Sequence, residues 1–412
     1  MKILVFLWHL VRNQVLTSGG LKRFVKLVSI GEKYSVKFTV IENYPSLKLH
    51  TKSSNYEPIE FSIPLGKYED LSIIRFILWI FYMIKATVYG VKITSRQDFD
   101  IVMTPSGELF CTAVPAFVVH VFRRIPLVYV VQLTPSGLPY KGILSEYKRY
   151  RDQGFGFFMS LCISVYVHIT CNMLIKLYNR AQLIIAVSKS LKKQLENYGV
   201  RQKIYVVGNG IDVREDVVYV GPKIYDALFV GRHTPQKGVL HVIETWKEVV
   251  KEKPNAVLTL IGYCTLDIRK LIENRIRQYN LEKNIILRGV ISQDNLILAM
   301  KKSKILLFPS IEEAFPMVVG EALAYGLPVI CYDIPPIHEI YRTEAVLTCP
   351  IGDVNCLVRK LLELISNEGL REELSIKARV YAQRFSWEEC VKQEFYLYSM
   401  MLRKNKAFKL TN

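Results

Sequence analysis

Phe308-Pro-Ser-Ile-Glu-Glu-Ala-Phe-Pro-Met-Val-Val-Gly-Glu-Ala-Leu-Ala-Tyr-Gly-Leu-Pro-Val329 reads as strand, loop, helix and strand again. The apolar run ahead of Pro309 is a buried strand. Glu312 and Glu313 sit in the loop after it. Pro316 stands where a helix can begin, because proline is tolerated in a first helical turn. The helix is expected to run to Tyr325, with Gly326 and Pro328 closing it and launching the next strand. The backbone around Phe315, Pro316, Met317 and Val318 then presents a helix N-terminus at a strand's carboxyl end, a ready site for a diphosphate. Glu321 lies about a turn and a half into that helix. Two carboxylates so placed suit paired sugar and ribose hydroxyls, which donate hydrogen bonds to them.

The same grammar extends in both directions. Short β-branched runs alternate with amphipathic stretches, the pattern of parallel sheets covered by helices. Strands are expected at 3–7, 37–41, 101–103, 127–132, 183–187 and 204–207, and again at 227–230, 256–261, 284–288, 305–308, 328–332 and 345–348. Helices are expected at 239–251, 267–279, 293–302 and 354–366, where apolar residues recur at helical spacing. Two such series give an α/β chain of two Rossmann-like, doubly wound domains facing each other across a cleft. The expected division is 1–207 for an acceptor-binding domain, 208–222 for a linker rich in Gly, Asn, Asp and Pro, and 223–384 for a donor-binding domain. Residues 385–412 complete the chain.

A second motif opens the later series: Leu228-Phe-Val-Gly-Arg-His-Thr-Pro-Gln-Lys-Gly238. Its strand ends at Gly231, and Arg232 and Lys237 follow in the turn before a helix. A guanidinium fork and an ammonium there can hold phosphate oxygens. Near the chain's start, Ser18-Gly19-Gly20 precedes a helix expected near Leu21, and its glycines allow a ligand to approach the backbone. No G-x-G-x-x-G fingerprint occurs there, so a nicotinamide cofactor is not indicated.

Charge is unevenly placed. Of a net +18, residues 1–207 hold 27 Lys/Arg against 12 Asp/Glu, and the remainder 28 against 25. Only the first half is thus built to meet something anionic. Lys22, Arg23, Lys26, Arg123, Arg124, Lys148, Arg149 and Arg151, beside the apolar stretch 71–84, suggest the surface of an anionic membrane. The uncharged stretch 154–175 is long enough to span a bilayer, but it lies between two expected strands of one sheet and reads as a buried or membrane-leaning helix. The eight cysteines form no C-x-x-C pair, which argues against a zinc site or a disulfide framework and suits a reducing compartment. Residues 3–8 are too short for a signal core and read as a first buried strand.

Taken together, these motifs resemble the retaining glycosyltransferases of family four, with the GT-B fold, over nearly the whole chain. Glu313 and Glu321 match the family's E-x7-E element, and Gly231-Arg232 with Lys237-Gly238 match its donor-diphosphate clamp. Val187-Ser188, Asn209-Gly210-Ile211-Asp212, Leu260-Ile261-Gly262 and Arg288-Gly289-Val290 stand in the family's order. Phe385-Ser386-Trp387 is similar to the start of its closing helix, which in that fold packs back on the first domain. The chain departs from the pattern at Gln132, in Val131-Gln132-Leu133, where the family often has histidine on the acceptor side. It departs again at Ala314 and Gly208, where glycine and proline are frequent.

The resemblance implies transfer of a hexose-type sugar from a nucleoside diphosphate to an acceptor hydroxyl, with retention and without a metal or other cofactor. Arg232, Lys237 and Glu313 are the expected catalytic groups. Gly19, Gly20, Gly231, Phe315, Pro316, Met317, Val318 and Glu321 join them in donor binding. The basic first half adds a lipid-linked saccharide or glycolipid acceptor at the cytoplasmic face of the membrane. A sugar-nucleotide epimerase or a phosphorylase would use the same architecture. A basic nucleic-acid-binding protein would share the charge, but the basic residues are not interleaved with aromatics in a recognisable motif.

Overall fold

The computed structural model describes residues 1–8, 19–43, 53–60, 73–105, 109–132, 143–152 and 156–410. Ser18 and Leu133 of the sequence motifs lie outside them. The chain divides into two compact units, Met1–Asn209 with Trp387–Asn412, and Gly210–Ser386.

The first unit runs β1 (Lys2–Leu7), α1 (Gly19–Gly31), β2 (Lys37–Glu42), β3 (Tyr56–Glu60), α2 (Ile73–Ile93) and β4 (Ile101–Thr104). It continues through α3 (Val114–Arg123), β5 (Leu127–Val131), α4 (Ile143–Asp152), α5 (Phe157–Tyr178), β6 (Leu183–Ala186), α6 (Lys189–Asn197) and β7 (Ile204–Val206). Among the described residues its sheet has seven parallel strands in the order β3-β2-β1-β4-β5-β6-β7. The order in which strands are added reverses between β1 and β4, which places α1 on one face and the later helices on the other.

Side-chain alternation shows the two faces. Ile3, Val5 and Leu7 of β1 pack with Phe24 and Val28 of α1. On the opposite face a Cβ at Gly90 of α2 would press on Phe6 and on Val119 of α3. Tyr129 of β5 points the same way, against Tyr178 of α5. The apolar start of the chain is thus a central strand, paired on both sides. Helices α4 and α5 lie between β5 and β6, which are neighbours in register, so the chain returns to the sheet it left.

The second unit runs β8 (Tyr225–Val230), α7 (Val239–Glu252), β9 (Leu258–Ile261), α8 (Leu266–Gln278), β10 (Ile285–Gly289), α9 (Gln293–Lys301) and β11 (Ser303–Phe308). Then come α10 (Met317–Ala324), β12 (Val329–Tyr332), α11 (Pro335–Ile340), β13 (Val346–Cys349), α12 (Val354–Ser366) and α13 (Glu368–Ala382). Six parallel strands lie in the order β10-β9-β8-β11-β12-β13. The four inner strands, β9, β8, β11 and β12, are largely buried on both faces, as a covered parallel sheet requires, and the edge strands β10 and β13 are only partly buried. The final helix, α14 (Trp387–Leu410), gives Val391, Phe395 and Tyr398 to the core of the first unit.

Three expectations need correcting. Strand β3 was not anticipated, because Tyr-Glu-Pro-Ile-Glu has neither alternation nor a β-branched run; it survives as an edge strand, where proline is allowed. Cys349 and Cys356 form a disulfide, with Cα atoms 5.8 Å apart, where no pairing was expected. They bring together the end of β13 and the first turn of α12, a proximity that spacing alone does not reveal. Arg23 is not a surface cation. It is 3% exposed and ion-paired to Glu394 of α14 at 2.6 Å.

Candidate active site

In open parallel sheets a ligand sits beyond the carboxyl ends of the strands, where the strand order reverses. In the second unit that point lies between β8 and β11. The two motifs singled out in the sequence are the loops that leave these two strands.

The loops are tied together by backbone. Ile311 N–H donates to the Gln236 carbonyl at 2.9 Å, and Ser310 Oγ donates to the same oxygen at 3.2 Å. Gly238 has φ +73°, the left-handed region, and a Cβ there would overlap the Pro309 carbonyl. Only glycine lets α7 start so close to the end of β11. Across this seam Lys237 Nζ donates to Glu313 Oε1 at 2.5 Å, with the two side chains 19% and 9% exposed. Gly231 closes β8 with its N–H on the Ile261 carbonyl, and a Cβ at Gly262 would overlap the Gly231 carbonyl. The first two residues after β8 and β9 are therefore packed backbone to backbone. Arg232 projects from this tight turn, exposed, and its guanidinium makes no hydrogen bond or ion pair with the described residues.

Helix α10 begins one residue later than a proline at its first position would give, with Pro316 just ahead of it. Met317 N–H bonds to the Phe315 carbonyl at 2.9 Å and Val319 N–H to the Pro316 carbonyl at 3.1 Å. The Met317 amide is thus already used. Among the described residues, the amides of Phe315 and Val318 have no intramolecular acceptor. Glu321 is buried on the same helix, 7% exposed. Burial raises the pKa of Tyr341 well above the ordinary phenol value, and the Glu321 carboxylate adds to it. The Tyr341 hydroxyl holds the loop by donating to the Pro316 carbonyl at 2.9 Å. Behind the helix, a Cβ at Gly320 would overlap the tip of Ile211, so Gly210-Ile211-Asp212 can lie against α10.

Sequence reasoning missed two residues here. His233 is fully buried beneath the Arg232 turn, its ring 5.7 Å from that of Phe229. Burial pushes its imidazole down to about 4, with the Ile261 carbonyl partly opposing the shift. Tyr341 was not singled out either; only its place after β12 and α11 brings it to Pro316. No spacing signal marks either position.

Seven sequence candidates therefore meet around one seam of the second unit: Gly231, Arg232, Lys237, Glu313, Phe315, Pro316 and Glu321. Met317 and Val318 sit in the first turn of α10. Gly19, Gly20 and Gln132 belong to the first unit. The two glycines form the opening turn of α1 rather than a loop ahead of it. Gln132 Nε2 donates to the Pro105 carbonyl at 2.9 Å and to the Gly20 carbonyl at 3.4 Å, so Gln132 and Gly20 are brought together. Among the described residues no group of three or more His, Cys, Asp or Glu is placed to hold a metal ion.

Residues 221–381 match the family model described as glycosyl transferases group 1, and residues 73–215 match the model of glycosyltransferase family 4. Each unit thus contains a region similar to a glycosyltransferase family model. Among curated proteins, an uncharacterized glycosyltransferase of Methanocaldococcus jannaschii is 35% identical over 209 residues, which is 50% of this chain and 56% of that protein. The O-antigen chain mannosyltransferase B of Escherichia coli is 24% identical over 179 residues, 42% of this chain and 46% of that one. The chain thus aligns with about half the length of these relatives. Among solved structures, Anabaena HepE in complex with UDP and glucose superposes with a TM-score of 0.69 at 19% identity, covering 97% of this chain and 100% of that one. With its two parallel-sheet units, the chain has the GT-B fold.

Proposed function

We propose that the chain transfers a hexose-type sugar from a nucleoside-diphosphate sugar to an acceptor hydroxyl, with retention at the anomeric carbon. The observation that carries this reading is the Lys237–Glu313 pair at the strand-order reversal, beside an exposed Arg232 and the N-terminus of α10. A leaving nucleoside diphosphate gains negative charge as its bond to the sugar breaks. Cations and backbone N–H groups fixed beforehand stabilise that charge most in the transition state. Arg232 and Lys237 take the phosphate oxygens, and the amides of Phe315 and Val318 add donors at the helix terminus. These groups stand in for a metal ion. Glu313 and Glu321 accept hydrogen bonds from the sugar and ribose hydroxyls.

In the proposed step the anomeric carbon–oxygen bond to the diphosphate breaks. The acceptor oxygen bonds to the same carbon from the same face, and its proton passes to the departing phosphate. The UDP complex of a protein with the same fold supports a nucleotide donor. The similarity to an O-antigen chain mannosyltransferase and the basic first half support a glycan or lipid-linked saccharide acceptor at the cytoplasmic membrane face.

The test is a thermal-shift screen of nucleoside diphosphates and their sugar conjugates on wild type, R232A and E321A. It is followed by transfer assays with and without EDTA, with the product anomer read by NMR. Stabilisation by one conjugate that weakens in both variants, and a retained anomer formed in EDTA, are the expected results. No response to any nucleotide would remove the donor site. An inverted product or loss of activity in EDTA would remove the mechanism.

A further inference from the structure

Three helices lie on one face of the first unit's sheet, and their outward sides are apolar rather than polar. On α2, Ile77, Phe81, Ile84 and Val88 recur every three or four residues on the side away from Tyr82, Ala86 and Gly90, and Phe81 is 50% exposed. On α3, Val121 and Phe122 are exposed, the latter at 72%. On α5, Ser160, Ser164, Val167, Cys171 and Leu174 face inward, while Phe158 (76% exposed), Leu161, Val165 and Ile169 face out. A soluble protein rarely leaves so continuous an apolar layer in water, and such a layer marks an interaction surface.

Charge selects the occupant. Within α2, α3 and α5 there is no Asp or Glu, and the charges present are basic. Lys85 Nζ lies 4.6 Å from the centre of the Phe81 ring and Lys92 Nζ 5.9 Å from that of Tyr89, ammonium groups set among exposed aromatics. Arg123 and Arg124 end α3, and Lys176 and Arg180 close α5, all exposed. Lys148 and Arg151 are exposed on α4, whose Tyr147 packs on Phe157 of α5. Apolar side chains rimmed by cations, with no acid on the three helices themselves, fit the interface of an anionic bilayer, where acyl chains receive the former and headgroups the latter. A second copy meeting the same face would set these cations against one another.

We infer that the outer face of α2, α3 and α5 is a membrane-docking surface. It seats the first unit on anionic lipid with Phe81, Phe122 and Phe158 in the acyl boundary. Helix α5 is long and apolar enough to cross a membrane, yet a third of it is buried, and with α4 it connects the neighbouring strands β5 and β6. It lies along the interface rather than through it. Arg23 takes no part: it is buried on the other face of the sheet, where α1 also carries the half-buried Lys22 and Lys26. The surface gives a lipid-borne acceptor its place and in that sense rests on the proposed reaction, but lipid binding is measured without donor or acceptor.

The experiment is co-sedimentation of the full chain with phosphatidylglycerol-containing vesicles and with pure phosphatidylcholine vesicles. It compares wild type with the triple variant F81S/F122S/F158S. Phe122 and Phe158 are mostly exposed and Phe81 is half-exposed, so the triple variant is expected to keep the wild-type fold and nucleotide response, checked by its melting temperature. Wild type is expected to partition at least tenfold better onto the anionic vesicles, and the triple variant to lose at least tenfold of that. Wild type left in the supernatant, or a triple variant that binds like wild type, would overturn the inference. So would a wild-type dimer, seen by analytical ultracentrifugation, that the triple variant dissolves. Lipid binding without any nucleotide response would sink the proposed reaction and leave this surface standing.

Discussion

Lys237 and Glu313 are 76 residues apart in sequence and 2.5 Å apart in space, joined across the point where the second sheet reverses its strand order. Both are mostly shielded from water, so each is the other's principal counter-charge in the absence of ligand. In the proposed reaction, a diphosphate arriving at Lys237 would compete with Glu313 for that ammonium and free the carboxylate for a sugar hydroxyl. K237A and E313A are each expected to lower turnover by about 10²–10³, the loss seen when one preorganised donor is removed from a transition state. The double variant should fall little further, because the two act as a unit. Initial-rate kinetics on the four proteins decide it; fully multiplicative losses would mean that the pair acts as two independent groups.

Gly238→Ala tests the seam itself. A methyl group there meets the Pro309 carbonyl, a backbone atom that cannot swing away, and φ is +73°. Strain and overlap together should cost about 2–4 kcal/mol. A lowered urea midpoint with unchanged m-value is the expected readout. An unaffected midpoint would mean that the loops separate easily.

Arg23 binds four acceptors: the Val207 and Gly208 carbonyls, Asn209 Oδ1 and Glu394 Oε2. Glu394 in turn accepts from the Tyr398 hydroxyl. Truncating one partner of a buried pair strands the other charge, so E394A should destabilise by about 3–5 kcal/mol. E394Q, which keeps an acceptor for Arg23, should lose less. Equal losses for the two variants, measured by denaturant titration, would mean that packing rather than charge holds α14 in place.

His233 makes stability depend on pH. Its ordinary value of 6.5 falls to about 4 in the folded chain because of burial. Above 6.5 the ring is neutral in both folded and unfolded states, and nothing is lost. As the pH drops from 6.5 towards 4 the unfolded chain takes up the proton first, so stability declines across that window by about 3 kcal/mol. His233→Leu should flatten this part of the profile, read as urea midpoints between pH 7.5 and 4.5. A variant with the wild-type slope would assign the acid sensitivity to other groups.

The strands that form the two sheets were legible because buried parallel strands are short, apolar and separated by amphipathic helices. The expected strand at 305–308 falls within Ser303–Phe308, and the helix expected at 354–366 is Val354–Ser366. Strand β3 was illegible because an edge strand carries no such signature. Arg232, Lys237 and Glu313 were legible because each sits at a fixed offset from a strand end, and the parallel fold exposes strand ends on one side. His233 was not, since nothing in the sequence separates a buried histidine from an exposed one.

By itself the sequence determined the periodicities, and with them the two parallel sheets, the glycines at the strand ends and the excess of positive charge in the first half. Contact between distant residues belongs to the tertiary structure. It placed Lys237 on Glu313, buried Arg23 against Glu394, paired Cys349 with Cys356 and left the apolar sides of α2, α3 and α5 facing outward. Periodicity is a local property that each segment carries with it. Which face of a helix finds a partner, and which cation finds its anion, depends on what the rest of the chain brings to that spot.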